Sequence, residues 1–527
     1  FPTQLLTQQE TVESDDAFDI KNGLIYFDNI SLADPTLLSL IRGFPKVQKE
    51  VAQRFNLKQD IKWEKTDWLR VFMHHLRKQV VLTAAARNAR VSDLHFSYPK
   101  SFDFSFQSRF EGDLDMVWGD TVDGGLTMSS ESEAARDYVV SGYNQHIIFD
   151  IGGGTTDIIA FHEQEPIFQT SFKLAAGQVN EYVLDAPAFR EKFVEAIEQR
   201  AKKTVLEDQI NERLVDKFQQ NASSQRDRDV ILQLWLGLLQ RITEVDDSDE
   251  SKLLIRILNY LRTEADQQGV IQGFFLTNAL LMGGLAYYTG QLLRVAAQGG
   301  FDQAPFSLSQ VTLTLTGNGS RLYNMLTETQ YPFSEIMKRL FRAGAKQDEE
   351  DLMVDFDGLF EYNDTPAPKV TVALGLLRNT RHSDMRDVPV ANITAEEGYP
   401  APDGETEFDS SLVDFYQSVF NKETSFDPPR EVPANLKQFL DAMGEVMPYG
   451  KHGQFKVIPA AHGSWAEDLK TSVYERAVPL IKNRGHDNAR LAEDIEGMAE
   501  EDRPALEPLF VAQLVGLMEA IREEYAA

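Results

Sequence analysis

Apolar residues recur at helical spacing between residues 67 and 90, and this pattern predicts an amphipathic helix. The next apolar run, residues 94–99, predicts a strand that ends at a proline. A further helix is expected to begin near Ser130, where serines precede acidic and helix-forming residues. Two more apolar runs, residues 147–149 and 158–161, flank a glycine-rich turn, so we expect a hairpin there.

The middle of the chain has the composition of surface helices. Residues 188–264 are rich in Glu, Lys, Arg, Gln and Leu and contain almost no glycine or proline, which predicts a helical subdomain. The most apolar stretch, residues 269–295, is interrupted by polar residues and glycines, so we expect a buried pair of helices rather than a membrane span. β-branched residues alternate at 311–316 and predict a strand that leads through a glycine turn into a helix.

The last part of the chain changes character near residue 385. Residues 369–375 predict a strand followed by a helix, and the chain beyond 381 is richer in polar residues and prolines. Helical spacing returns at residues 509–525, where the apolar stripe predicts a core helix. We therefore place a domain boundary near residue 385.

Composition narrows the class of function. A chain of 527 residues is expected to form two to four packed units. Its formal net charge of −30 disfavours direct binding to nucleic acid or to anionic membranes. The chain has no cysteine, which excludes disulfides, thiol catalysis and cysteine-ligated zinc and fits a reducing compartment. The cytoplasm is the simplest location for such a protein.

The strongest chemical signal is the segment Asp-Ile-Gly-Gly-Gly-Thr-Thr-Asp at residues 150–157, which lies between the two apolar runs of the predicted hairpin. Glycines let a backbone approach an anion closely, and the N–H groups of residues 152–155 can surround phosphate oxygens. Asp150 and Asp157 are the candidates for holding a hydrated Mg²⁺. The alternative is a plain glycine hairpin whose aspartates favour the turn, but the combination of residues favours the binding site.

This segment resembles the second phosphate-binding segment of the superfamily that contains actin, the heat-shock chaperones and the sugar kinases. By that resemblance Gly152, Gly153, Gly154, Thr155 and Thr156 contact the phosphates of ATP.

Three further segments occur in the order that this superfamily has. Residues 130–135 resemble the first connecting helix, and Glu131 takes the place of the carboxylate that positions the attacking water. The purely structural alternative is that Glu131 stabilises a helix N-terminus through the helix dipole. Residues 370–375 resemble the second connecting helix, where small residues let two helices cross closely.

Residues 313–322 resemble the adenosine-binding segment of the superfamily. The resemblance gives nucleotide contacts to Gly317, Gly319, Ser320 and Arg321, whereas a purely structural strand-to-helix turn is the competing interpretation.

The first phosphate loop of the superfamily, Asp-x-Gly-Thr, does not occur before the hairpin. Residues 1–3 resemble the strand that follows this loop, so we expect the loop to lie upstream of Phe1. No counterpart of the chaperones' catalytic lysine can be assigned, and Lys65 and Lys78 stay without a role.

The resemblance implies an α/β protein with a two-lobed, duplicated ribonuclease-H-like fold, that of the actin-like ATPases, with helical insertions and a mostly helical C-terminal extension. The predicted domains are residues 1–145 as the first lobe, 146–385 as the second lobe with a helical insertion at about 188–300, and 386–527 as the extension.

The implied function is an ATPase that binds ATP and Mg²⁺ and acts as a nucleotide-driven conformational switch within a larger assembly, with a protein partner that the sequence does not identify. The alternatives are a pseudo-ATPase scaffold subunit, an actin-like filament-forming protein and a small-molecule kinase.

Overall fold

The structure of the chain is a computed structural model that contains both helices and sheets, which confirms the mixed α/β class. The chain divides into two compact units, of which the first comprises Phe1–Tyr98 and Phe102–Ser129 and the second comprises Pro99–Ser101 and Ser130–Ala527. The duplicated two-lobed architecture and the three predicted domains stay predictions. The structure describes residues 4–7, 23–25, 57–60, 69–98, 104–122, 125–130, 134, 145–162, 165–200, 218–219, 225–244, 256–258, 260–261, 269–299, 305–326, 333–358, 412, 416, 432–446, 469–495 and 506–526.

The first unit contains a small antiparallel sheet in the order β2-β1-β3, formed by β1 (Gln4–Thr7), β2 (Gly23–Ile25) and β3 (Leu57–Asp60). It also contains helices α1 (Leu69–Ala86) and α2 (Phe104–Trp118) and a pair of strands, β4 (Asp93–Tyr98) and β5 (Gly125–Ser130). The helix and the strand that we predicted at 67–90 and 94–99 are therefore confirmed as α1 and β4. The core of this unit is made by Leu69, Val71, Phe72, Met73, Leu114, Val117 and Trp118.

A five-stranded sheet organises the second unit. Its strands are β6 (Gln145–Ile151), β7 (Thr156–His162), β8 (Glu165–Phe172), β9 (Gln310–Thr316) and β10 (Met353–Gly358), in the order β10-β9-β6-β7-β8. β6, β7 and β8 form an antiparallel meander, whereas β6, β9 and β10 run parallel. The chain thus leaves β6 toward one edge of the sheet and leaves β9 toward the other.

Alternation along the strands separates two faces of this sheet. Ile147, Phe149 and Ile151 of β6 belong to the main hydrophobic core, whereas His146 and Asp150 lie on the opposite face and are also buried. The helices beneath the core face include α3 (Ala176–Asp185), α4 (Pro187–Arg200) and α5 (Gln225–Glu244). The helical character expected from residue 188 onward is confirmed in the part of that range that the structure describes.

The apolar stretch after residue 269 is one continuous helix, α6 (Gly269–Ala297), and the pair of helices that we predicted there is wrong. The glycines that suggested a break serve close packing instead. A Cβ added at Gly283 would lie 2.8 Å from Leu340 Cδ1, and one added at Gly284 would lie 2.2 Å from Leu514 Cδ1. α6 is long and apolar enough to cross a membrane, but 83% of its most apolar window is buried by protein, and a buried core helix passes the same test.

Helix α7 (Phe333–Ala345) crosses α6 at backbone contact. A Cβ added at Gly344 would lie 1.9 Å from Tyr287 O, and one added at Gly290 would lie 2.2 Å from Phe341 O. Any side chain at either position would push the two helices apart.

The C-terminal part contributes α8 (Ala434–Val446), α9 (Tyr474–Ile495) and α10 (Leu509–Tyr525). α10 packs against both α6 and α9, which confirms the interpretation of the terminal apolar stripe as a core helix. The apolar residues predicted to form its stripe, together with Leu506 just before the helix, are completely buried: Leu506, Leu509, Phe510, Leu514, Leu517 and Ile521. Residue 385, the predicted boundary, lies outside the described residues.

Candidate functional site

The predicted glycine hairpin is present and is formed by β6, β7 and the turn between them. Gly152 N donates a 2.8 Å hydrogen bond to Thr155 O, and a Cβ added at Gly152 would lie 2.9 Å from that same oxygen. Gly152 is therefore glycine because the turn is tight, and its N–H closes the turn. Gly153 and Gly154 form the exposed tip.

Gly153 differs from Gly152, because no described residue crowds the position that its Cβ would take. A Cβ added there would meet no atom within 4 Å, and its φ lies outside the left-handed region that favours glycine. The backbone at Gly153 is thus bordered by open space. A bare backbone beside open space is what a closely approaching ligand requires.

The N-terminus of α3 lies directly behind the turn. Ala176 N donates a 3.1 Å hydrogen bond to Gly152 O, and a Cβ added at Gly177 would lie 2.4 Å from Gly153 O. Gly177 thus allows the helix to reach the turn and hold its carbonyls. Our sequence analysis missed this residue, although the small-residue run Ala175–Gly177 after an apolar segment was a usable signal.

The two threonines after the turn are buried and hold the hairpin together. Thr156 Oγ1 donates a 2.7 Å hydrogen bond to Leu174 O, two residues before the start of α3. Thr155 Oγ1 lies 3.4 Å from Asp157 Oδ2 and donates to it. The side chain of Thr156 therefore has a structural contact, and the phosphate contact predicted for this residue stays a prediction.

Asp150 and Asp157 occupy directly opposite positions on β6 and β7, so their side chains share one face of the sheet. Both are buried. Opposite residues of an antiparallel pair have Cβ atoms about 4.5 to 5.5 Å apart, and like charges at that distance are unfavourable unless a cation or proton lies between them.

The part of the chain that the structure describes has no group of three or more His, Asp or Glu side chains that could hold a metal ion. Mg²⁺ retains several waters and takes only one or two carboxylates from a protein, so the Asp150 and Asp157 pair fits this ion.

The second glycine segment lies against the first. Gly317 follows β9 with a φ of 78°, in the left-handed region, and a Cβ added there would lie 2.2 Å from Asp150 Oδ1. A Cβ added at Gly319 would lie 2.7 Å from Ile151 O. Glycine is thus needed at both positions for the two segments to touch, and the structure brings together residues that are far apart in the sequence.

The helix expected after Gly317 is a 3-10 helix, Asn318–Met325, rather than an α-helix. Ser320 Oγ donates a 2.5 Å hydrogen bond to Gly317 O, so this hydroxyl closes the turn. Arg321 is buried in the same helix. Asn278 of α6 donates a 2.8 Å hydrogen bond to Leu322 O, which links the 3-10 helix to α6. Sequence analysis missed Asn278, because a lone asparagine in an apolar helix carries no sign of its partner.

Glu131, the predicted water-positioning carboxylate, lies outside the described residues, as do residues 370–375. Ala134, which follows Glu131 in the same predicted helix, is helical and buried. The structure therefore gathers the hairpin residues and the Gly317 turn, and the placement of Glu131 stays a prediction.

Comparisons with known proteins do not identify a function for this site. No protein-family model matches the chain, and no curated protein matches it. Among solved structures, the crystal structure of ethanolamine utilization protein EutJ from Carboxydothermus hydrogenoformans is similar over 58% of this chain and 73% of that one, at 11% identity and a TM-score of 0.24. A likeness of that size carries no argument about function, so the functional interpretation depends on the site itself.

Proposed function

We propose that the chain binds ATP together with Mg²⁺ where the hairpin turn meets the Gly317 turn. One observation carries the proposal. Two glycine-rich segments meet at the carboxyl ends of the parallel strands β6 and β9, and the chain leaves these strands toward opposite edges of the sheet. Open α/β sheets bind ligands in the crevice that forms at such a switch point.

Each part of the site has a chemical task in this proposal. The backbone at Gly153 and Gly154 offers N–H groups to phosphate oxygens, because the tip is exposed and free of side chains. Asp150 and Asp157 hold the hydrated Mg²⁺, which neutralises phosphate charge when bound. The turn after β9 takes the nucleoside in this proposal, because Gly317 and Gly319 hold it against Asp150 and Ile151 of the hairpin.

The sheet supports the wider interpretation as an actin-like ATPase. An antiparallel meander continued by two parallel strands on its other side is the arrangement expected for one lobe of a ribonuclease-H-like fold. In this proposal nucleotide binding and hydrolysis move two lobes relative to each other, with Glu131 positioning the water. The protein would act as a switch in a larger cytoplasmic assembly with a protein partner.

Calorimetry on the full chain tests the binding step. ATP with Mg²⁺ is expected to bind with one site per chain, and a chelator is expected to abolish or strongly weaken the binding. GTP is the matched competitor, and it is expected to bind more weakly. Tight binding of GTP without binding of ATP contradicts the adenine assignment, and binding that ignores the chelator contradicts the metal role. No binding of any nucleotide overturns the proposal as a whole.

A further inference from the structure

A row of polar side chains crosses the sheet at the level of the two carboxylates. Asp157 lies opposite Ser171 of β8, and Asp150 lies beside Thr316 of β9. Neighbouring residues in register share one face of a sheet, so the row reads Ser171, Asp157, Asp150, Thr316 across four strands. All four residues are buried.

Thr316 carries one of the two hydroxyls in this row. Thr316 is completely buried, and its Oγ1 has no hydrogen-bond partner among the residues that the structure describes. A buried hydroxyl that lacks a partner is unfavourable, and beside a carboxylate proposed to hold a hydrated cation such a hydroxyl is a candidate for contact with that ligand. Ser171 Oγ also lacks a partner but lies beside Asp157, on the far side of the row from Gly317.

The position of Thr316 joins the two halves of the site. It is the last residue of β9, it precedes the Gly317 turn, and it neighbours Asp150 on the adjacent strand. Adjacent strands are about 4.8 Å apart. Because Mg²⁺ keeps several waters at about 2.0 to 2.1 Å, a hydroxyl one strand away from a ligating carboxylate can reach one of those waters.

We infer that the Thr316 hydroxyl is a ligand-contact group, which hydrogen-bonds a water of the hydrated divalent cation held by Asp150. This inference rests on the proposed function and assigns it one further residue. Thr316 supplies a neutral hydroxyl that can donate or accept, so it orients the hydrated ion toward the Gly317 turn without adding charge.

The same strand provides a matched control. Thr312 lies on the same face of β9, is equally buried, and its Oγ1 also lacks a partner, but its neighbour on β6 is His146 and not a carboxylate. Thr316→Val and Thr312→Val are therefore the same isosteric change in the same kind of environment. They differ in their distance from the carboxylates.

The experiment measures the Mg²⁺-dependent affinity for ATP by calorimetry and the melting temperature of the ligand-free protein for wild type, T316V and T312V. T316V is expected to lower the affinity by up to about tenfold, because losing one ordinary hydrogen bond costs about 0.5 to 1.5 kcal/mol. Its ligand-free melting temperature is expected to stay equal or to rise, because an unsatisfied hydroxyl has been removed. T312V is expected to change neither the affinity nor its dependence on Mg²⁺. Thr316→Ser retains the hydroxyl and is expected to restore most of the affinity.

Equal affinities for T316V and T312V, in a protein whose wild type binds ATP with Mg²⁺, overturn this inference and leave the proposed function standing. Absence of binding by the wild type overturns the proposed function and this inference with it. If T316V does not fold, Thr316→Ser compared with Thr316→Ala makes the same test, and equal affinities again overturn the assignment.

Discussion

Replacing Gly153 with alanine separates the two explanations of the glycine hairpin. If the turn is only structural, the substitution is harmless, because the new Cβ would enter open space and the backbone at Gly153 has no left-handed φ to strain. Such a change at a compatible position stabilises a protein by about 0.4 to 1 kcal/mol through the unfolded chain. The melting temperature of Gly153→Ala is therefore expected to be unchanged or slightly raised.

The expected effect on binding has the opposite sign. A methyl group at the tip prevents phosphate oxygens from reaching the backbone N–H groups at hydrogen-bond distance. Losing one hydrogen bond to a charged group costs about 1.5 to 3 kcal/mol, which corresponds to a loss of about tenfold to a hundredfold in ATP affinity. Calorimetry in the presence of Mg²⁺ measures this loss.

Two further glycines provide the controls for this experiment. Gly112 of α2 also has open space beside it and belongs to the first unit, whereas the hairpin belongs to the second, so Gly112→Ala is expected to leave the affinity unchanged. Gly317→Ala would place its Cβ 2.2 Å from Asp150 Oδ1 with a φ of 78°, so it is expected to lower both stability and affinity. A folded Gly153→Ala protein that binds ATP as tightly as the wild type would refute the assignment of the tip to phosphate binding.

Three other outcomes are expected. Asp150→Ala is expected to weaken Mg²⁺-dependent ATP binding about tenfold or more, whereas Glu131→Ala is expected mainly to reduce turnover and leave ATP bound; equal losses of affinity would contradict these roles. Leu514→Ala is expected to cost about 2 to 5 kcal/mol of unfolding free energy, because Leu514 is completely buried over Gly284, and an unchanged urea midpoint would argue for a docking role of α10. Burial lowers the pKa of His146 from 6.5 to about 4. As the pH falls, the imidazole therefore gains its proton in the unfolded chain before it does so in the folded protein. The free energy of unfolding is expected to decrease by up to about 3 kcal/mol as the pH falls from 6.5 to 4. His146→Gln should flatten the profile of urea midpoint against pH in that range.

The hairpin could be predicted from residues that are close together in the sequence. The segment from Asp150 to Asp157 could be predicted from sequence, because strand, glycine turn and strand are neighbours in the chain and each carries its own periodicity. The terminal helix α10 was predicted for the same reason, since its apolar stripe repeats every turn over its whole length. The mixed α/β class was implied by the resemblance that the hairpin segment carries.

Contacts between distant segments were decided only by the tertiary structure. No local pattern shows that Gly317 lies against Asp150, because that contact depends on β9 pairing in parallel with β6 across a long stretch of chain. The prediction for α6 failed for a related reason. Gly284 was taken for a break in the helix, but the residue that fills the space beside it, Leu514, lies in a helix near the C-terminus.

The same limit applies to Thr316. In the sequence it is one of several alternating threonines of a strand, and the pattern gives each of them the same weight. Only the register of β9 against β6 places its hydroxyl next to Asp150 while leaving Thr312 beside His146. Periodicity fixes the face on which a side chain lies, but pairing between strands fixes its neighbours, and the chemistry of this site depends on those neighbours.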